Sequence, residues 1–289
     1  MKRYALILSM LIGAAGYTYI SLLAPLTPLL IFTMLLLSYS KLSPKEVKIR
    51  PVHLVLLLIQ VVGSLVVYAL LAPFDTTVAQ GALICILAPT ATAAAAVVGL
   101  LGGSVAFVAG YLLFCNLAIA IGAPLIFAHI GEYSDWGFWE SFLFICKKVV
   151  PTLIAPLFVA WFLQLFLPKV HKKISSIHGL AFYLWAVGLT IVTANTVKFL
   201  TLQDSSNFQT ELSLGAVSLV ICIIQFLLGR KIGKRYGDAV SYGQSLGQKN
   251  TILAIWMAQT YLNPLSSIAP AAYVLWQNII NSYQLWKTR

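Results

Sequence analysis

Lys249 is the side chain whose chemistry most needs an explanation. It sits in SYGQSLGQKNTILA, residues 241–254, and runs straight into TILAIWMAQTYL, with no further charge before Lys287. A lysine at the centre of a membrane helix costs about 2.5–3.5 kcal/mol on insertion scales. With no acid on its predicted helix face, that cost has to be offset by carbonyls, amides, water or a ligand. Such an ammonium can serve as a built-in cation, as a proton carrier loaded on one side of a membrane and unloaded on the other, or as the partner of a substrate carboxylate. In the last role it would be helped by a helix N-terminus, where backbone N–H groups also favour anions. The alternative without chemistry is an amine that merely reaches toward an aqueous cavity.

Two clusters surround this question. Gln244, Ser245, Gln248, Lys249 and Asn250, with Gly243 and Gly247 among them, are too many polar groups for a lipid-facing helix. In GALICILAPTATAAAAVVGLLGG, Pro89 removes a backbone N–H and disfavours helix in the residue before it. Pro89, Thr90 and Thr92 are therefore expected to break a second helix near mid-membrane. Weaker candidates are Thr193, Asn195 and Thr196, whose types suit either a cavity wall or hydrogen bonds between packed helices.

Enzyme chemistry finds no support. No Ser–Lys, paired-Asp or HExxH arrangement sits at depth, and all eight acids lie in or beside loops. The four cysteines, Cys85, Cys115, Cys146 and Cys222, fall in apolar runs without CxxC spacing and read as small core residues. His53, His171 and His178 lack metal-ligand spacing and read as solvated or interfacial. Neither a cofactor nor a metal is expected.

The elements that must carry these residues are membrane helices. The chain is 60% hydrophobic and 9% charged, with a mean hydropathy of +0.90. A soluble chain carries about a quarter charged residues. Ten spans are expected: 3–20, 25–40, 52–72, 77–100, 103–128, 138–167, 175–199, 209–229, 238–261 and 264–286. The basic, apolar start MKRYALILSMLIGAAG imitates a signal peptide but reads better as a first helix that stays in place.

The net charge of +11 comes from basic residues in short loops, a pattern of membrane orientation and not of a nucleic-acid surface. Fifteen of the 19 Lys and Arg fall on the side of both termini, and six of the eight acids on the other. Both termini are thus expected in the cytoplasm, and a bacterial inner membrane is the expected location. Lys147, Lys148 and Lys198 are accounted for by snorkelling. Tyr17, Tyr19, Trp136, Trp139, Tyr261 and Trp286 read as interfacial anchors.

The two interrupted spans are the fourth of the first five and the fourth of the second five. Five is odd, so a duplicated half would run in inverted topology. Residues 1–130 and 131–289 would be the two repeats. Matched interrupted helices are a sequence pointer to a transporter's site.

On these residues the chain resembles the bile acid:sodium symporter family. PLTPLLIFTMLLLSYSKLSPKE (25–46) is similar to its second helix, and APTATAAAAVVGLLGGSVA (88–106) to its Pro-containing crossing helix. GQKNTILA (247–254) resembles the ninth-helix stretch, usually Glu-x-Gly-x-Gln-Asn, and VLWQNI (274–279) the Trp-His-Asn-Ile element of the last. The resemblance implies a ten-helix, all-α membrane fold with inverted repeats. Spans 3–5 and 8–10 would form a core in which spans four and nine cross, and spans 1, 2, 6 and 7 a panel. It also implies an organic anion as substrate, from bile acids to small carboxylates, moved with sodium.

The sodium ligands are largely missing. Ala94 and Ala95 stand where the family has a Ser-Asn pair, and its next hydroxyl ligands fall near Val108 and Leu112. Ser245 stands at the family glutamate and Lys249 at its glutamine, so only Gln60 and Asn250 remain. An alanine offers a cation no side-chain oxygen. The expectation is that the Lys249 ammonium replaces the second sodium, held by Gln60, the Ser245 hydroxyl and carbonyls around Leu246–Gln248. The expected site is Gln60, Pro89, Thr90, Thr92, Ser245, Gln248, Lys249 and Asn250. The function would be sodium-independent transport of an organic anion, with a sodium symporter of unusual ligands, or a channel or sensor, as alternatives.

Overall fold

The computed structural model describes residues 5–42, 49–177, 180–202 and 208–287, and the regular elements among them are all helical. Lys2, Arg3, Lys45, Glu46, Lys48, His178, Asp204 and Arg289, which enter the charge and histidine readings, lie outside the described residues.

Among the described residues, six stretches are long and apolar enough to cross a bilayer: Tyr17–Tyr39, Pro51–Leu71, Val105–Ile130, Phe138–Phe166, Leu180–Thr201 and Phe208–Lys234. The first joins α2 (Tyr17–Ile20), a 3₁₀ segment (Ser21–Leu26) and α3 (Thr27–Tyr39), and follows α1 (Ala5–Ala15). A loop was expected at 21–24. The chain stays helical there because the tighter 3₁₀ winding accommodates Pro25. The others are α4 (Pro51–Leu71), α7 (Val105–Ile130), α8 (Phe138–Phe166), α10 (Leu180–Thr201) and α11 (Phe208–Lys234). The basic stretch 168–174, expected as a loop, forms the short helix α9 (Pro168–Ser175). α14 (Ile268–Lys287) closes the chain.

The sequence of α4 explains the class of protein. Its buried stripe includes His53, Gln60 and Ser64, while Leu54, Val55, Leu58, Val62 and Val66 are exposed. Polar groups in and apolar groups out is the reverse of a water-soluble helix, and it satisfies a helix that meets lipid. α11 repeats the pattern, with Ser218 and Gln225 inward and Val220, Ile224 and Leu227 outward. The protein is all-helical and membrane-embedded in character.

Two stretches are interrupted, at the expected positions. α5 (Thr76–Leu87) and α6 (Ala93–Leu100) are separated at Pro89, and α12 (Ala239–Gly247) and α13 (Thr251–Tyr261) at Gln248–Asn250. Asp75 starts α5 by accepting from the backbone N–H groups of Thr77 and Val78 at 2.8 and 3.0 Å.

The described residues group into two compact units. One comprises those within Met1–Ser43, Ala120–Ser205 and Gln259–Leu265. In it α10 packs on α1 and α3, and α3 on α8. Asn195 donates to Gln259 at 2.7 Å, and Gln259 donates to Thr196 at 3.0 Å, so two of the three span-seven candidates are used in helix packing. Tyr261, expected as an interfacial anchor, is instead fully buried and stacked at 6.2 Å on Phe127.

The other unit comprises the described residues within Pro44–Ile119, Ser206–Ala258 and Ser266–Arg289. Here α5 packs on α4 and α11, and α11 on α12 and α14. His53, expected to be solvated or interfacial, is fully buried with its ring edge-on to Phe107 at 4.5 Å. α11 meets α12 where Gly229 packs on Tyr242 and Gly243, Gly233 on Asp238 and Ala239, and Gly247 on the Phe226 ring, small residues that let membrane helices approach closely. A methyl at Gly229 would collide with the Tyr242 carbonyl oxygen, whereas one at Gly215, also on α11, meets open space. Gly229→Ala should therefore lower the thermal unfolding midpoint, at a cost of about 1–3 kcal/mol. Gly215→Ala should hold or raise it, by up to about 1 kcal/mol of helix propensity.

Candidate functional site

Breaking a helix inside a protein leaves the last four carbonyls of its first half without backbone donors. α5 ends that way: Ala88 turns out of the helix with ψ 135°, and Pro89 has no N–H to offer. All four carbonyls from Cys85 to Ala88 are nonetheless bonded, each by a buried side chain from another element.

Gln225 of α11 donates to the Cys85 carbonyl at 3.2 Å. The Lys249 ammonium donates to the Ile86 carbonyl at 2.8 Å. Gln60 of α4 donates to Leu87 and Ala88 at 2.7 and 3.0 Å. Gln60 is held in turn by the Tyr111 hydroxyl, which donates to its Oε1 at 2.8 Å. Lys249 is 1% exposed, so it reaches neither lipid nor bulk water. Its position is also electrostatic, because a cation at a helix C-terminus meets the negative end of the helix dipole.

The two breaks are laced together. Thr90 and Lys249 form an antiparallel bridge. The Ala91 N–H donates to the Gln248 carbonyl at 2.9 Å, and the Asn250 N–H to the Pro89 carbonyl at 2.8 Å. The second half-helix end is capped as the first is: the Thr90 hydroxyl donates to the Ser245 carbonyl at 2.7 Å and the Tyr273 hydroxyl to the Gly247 carbonyl at 2.8 Å. Gln277 accepts from the Lys249 backbone N–H at 2.9 Å, and Asn250 starts α13 by accepting from the Leu253 N–H at 3.3 Å.

Of the eight expected residues, Pro89, Thr90, Ser245, Gln248, Lys249 and Asn250 meet at this crossing, and Gln60 adjoins it. Thr92 caps the start of α6 without a side-chain bond and is partly exposed.

The cradle of Lys249 differs from the expectation. Its ammonium is bonded to the Ile86 carbonyl of α5 and not to Gln60, Ser245 or the carbonyls around Leu246–Gln248. The Gln60 amide is taken by the next two carbonyls, and the buried Ser245 Oγ has no hydrogen-bond partner among the described residues. A side chain leaving the chain at a bridge paired with Thr90 projects toward the opposite helix end, not back along its own.

Gln225, Tyr273 and Tyr111 were not anticipated. No local pattern marks them, because the partner of each is far away in sequence. Gln277 lay within the quoted VLWQNI, but nothing local marked it as the acceptor for Lys249. The buried cysteines fit the expected core role, with Cys115 3.4 Å from the Gln60 amide.

No family model matches the chain, and no curated protein matches it.

The capping scheme has a direct consequence. Gln60→Leu leaves the Leu87 and Ala88 carbonyls buried without donors, each costing about 1–3 kcal/mol. Its unfolding midpoint should fall clearly below that of the native chain in the same detergent. An unchanged midpoint would mean that the end of α5 does not depend on this side chain.

Proposed function

We propose that this protein is a secondary transporter for an organic anion, working by alternating access and without sodium. The observation that carries the reading is the Lys249 ammonium on the Ile86 carbonyl at the C-terminal end of α5, at the crossing of two broken helices. In transporters built this way, half-helix C-terminal ends and unwound carbonyls coordinate the coupling cation. Here a tethered cation supplies the charge.

The wider reading includes a ten-span chain of two inverted repeats, with both termini in the cytoplasm of a bacterial cell, and membership of the bile acid:sodium symporter family. Three features support it. The breaks fall in the fourth expected span of each half. Elements from both halves interleave within each compact unit, as inverted repeats would. The sequence motifs occur in family order. The open N-terminus of α6, where Ala91 and Thr92 are only partly buried and the adjoining residues are alanine, suits the carboxylate of a substrate. Bile-acid-like and small carboxylates are the substrate classes, and no catalytic step is assigned.

The test uses proteoliposomes loaded with candidate carboxylates and a matched Lys249→Gln variant. Saturable counterflow is expected for the native chain, unaffected by replacing sodium with potassium, and is expected to be lost in the variant. A thermal unfolding series in the two salts accompanies it, because a ligand that binds only the folded state raises the midpoint. Sodium should leave the native midpoint unmoved and raise that of Lys249→Gln. Sodium-specific stabilisation of the native chain would return it to conventional symport. Full transport by the variant would remove Lys249 from the mechanism, and conductance without saturation would make the protein a channel.

A further inference from the structure

The second compact unit carries a cavity of about 510 Å³ that the transport reading does not use. That size lies within the range of about 300–1,000 Å³ in which pockets hold small ligands. Its walls come from α11, α12, α14 and the end of α6. One part is apolar, formed by Leu101, Ile223, Phe226, Leu227 and Ile280. The other part carries Arg230, Lys287, Tyr283 and Gln284. No acidic side chain lines it among the described residues. Asp238, two residues before the lining residue Val240, is engaged at the start of α12, accepting from the Ser241 N–H at 2.9 Å.

We propose that this cavity binds one acidic phospholipid of the bilayer, with the phosphate between Arg230 and Lys287 and an acyl chain along Ile223, Leu227 and Ile280. Two features select a lipid over a soluble anion, and a third selects its charge. Ile223 and Leu227 are 41% and 62% exposed and continue the outward apolar face of α11, so the cavity opens sideways to where acyl chains lie. The polar end sits beside Tyr283 and Trp286, exposed aromatics whose rings are 6.1 Å apart, the residue types that mark headgroup depth. Two cations with no acid among the lining residues favour a lipid with net negative charge over a zwitterionic one. Arg230 is also held in place. Its stem lies across Gly243, where a β-carbon would come within 2.6 Å of its Cγ.

The site is independent of the transport reading, and its test needs no transport assay. The full chain, stripped of lipid in detergent, is titrated with phosphatidylglycerol, phosphatidylcholine or glycerol 3-phosphate. Lipid retention is followed by native mass spectrometry and stability by thermal unfolding. Phosphatidylglycerol should be retained and should raise the midpoint; the other two should do neither.

Removing each cation should weaken retention roughly fivefold, so Arg230→Gln with Lys287→Gln should bring it near the phosphatidylcholine level. Lys231→Gln, one residue along but outside the cavity, should leave it unchanged. Ile280→Trp fills the groove with both charges intact and should also abolish retention, so the outcome does not hang on one variant folding. Equal retention of the two lipids, or phosphatidylglycerol retention unchanged in the double variant and in Ile280→Trp, would overturn the proposal. Stabilisation by glycerol 3-phosphate to the same extent as by phosphatidylglycerol would make this a site for soluble phosphate esters instead.

Discussion

The carbonyls of Cys85, Ile86, Leu87 and Ala88 constrain the second unit more than any other group of atoms. They stand at the negative end of a helix that stops inside the protein, and Pro89 denies them any backbone continuation. Three side chains from separate parts of the chain, Gln225, Lys249 and Gln60, converge to bond them. The energies make such a site sustainable. Burying the lysine costs about 2.5–3.5 kcal/mol. A charge-assisted hydrogen bond returns about 1.5–3 kcal/mol, and a favourable place at a helix C-terminus adds up to about 2 kcal/mol. A lysine that would be a liability in an unbroken helix becomes close to neutral at a broken one.

The same convergence explains why the neighbouring helices must lie so close. Gln225 can reach Cys85 only if α11 packs against α5, and it also donates to the Tyr273 hydroxyl of α14 at 3.0 Å. That hydroxyl caps Gly247 on α12. One glutamine thus ties both half-helix ends together through a single tyrosine. The glycines that α11 and α12 each place at their contact set the spacing that makes this possible. A larger residue at Gly247 would strike the ring of Phe226.

The parts of this design that are local were legible in the sequence. Pro89 announces its break because the missing N–H is a property of that residue alone. Lys249 and its polar neighbours announce theirs because lipid cannot accept them. Ladder partners are not local, so the acceptor for Lys249 was misplaced by reasoning from adjacent residues. Ser245 and the carbonyls around Leu246–Gln248 are near in sequence, but the bond goes to Ile86, 163 positions away. His53 was misjudged for a related reason. Its position at the start of a span suggested the interface, whereas the turn it occupies packs on Phe107. The glycine pair at Gly229 and Gly233 was hidden by the basic residues around it, which drew the stretch from 230 onward into a loop although α11 runs on to Lys234.

Among the three roles open to Lys249 under the proposed function, the geometry weighs unequally. Pairing with a substrate carboxylate requires the ammonium to be reached, and at 1% exposure it is reached by nothing unless the bridge between Thr90 and Lys249 parts. A proton carrier must likewise meet water on each side in turn, while the bond to Ile86 holds the amine against a helix end. A fixed cation needs no movement of this kind. It also carries a consequence that a bound ion does not: a tethered charge cannot be released on the far side of the membrane. If Lys249 stands in for sodium, the ion gradient no longer contributes work, and the direction of transport follows the gradient of the substrate itself.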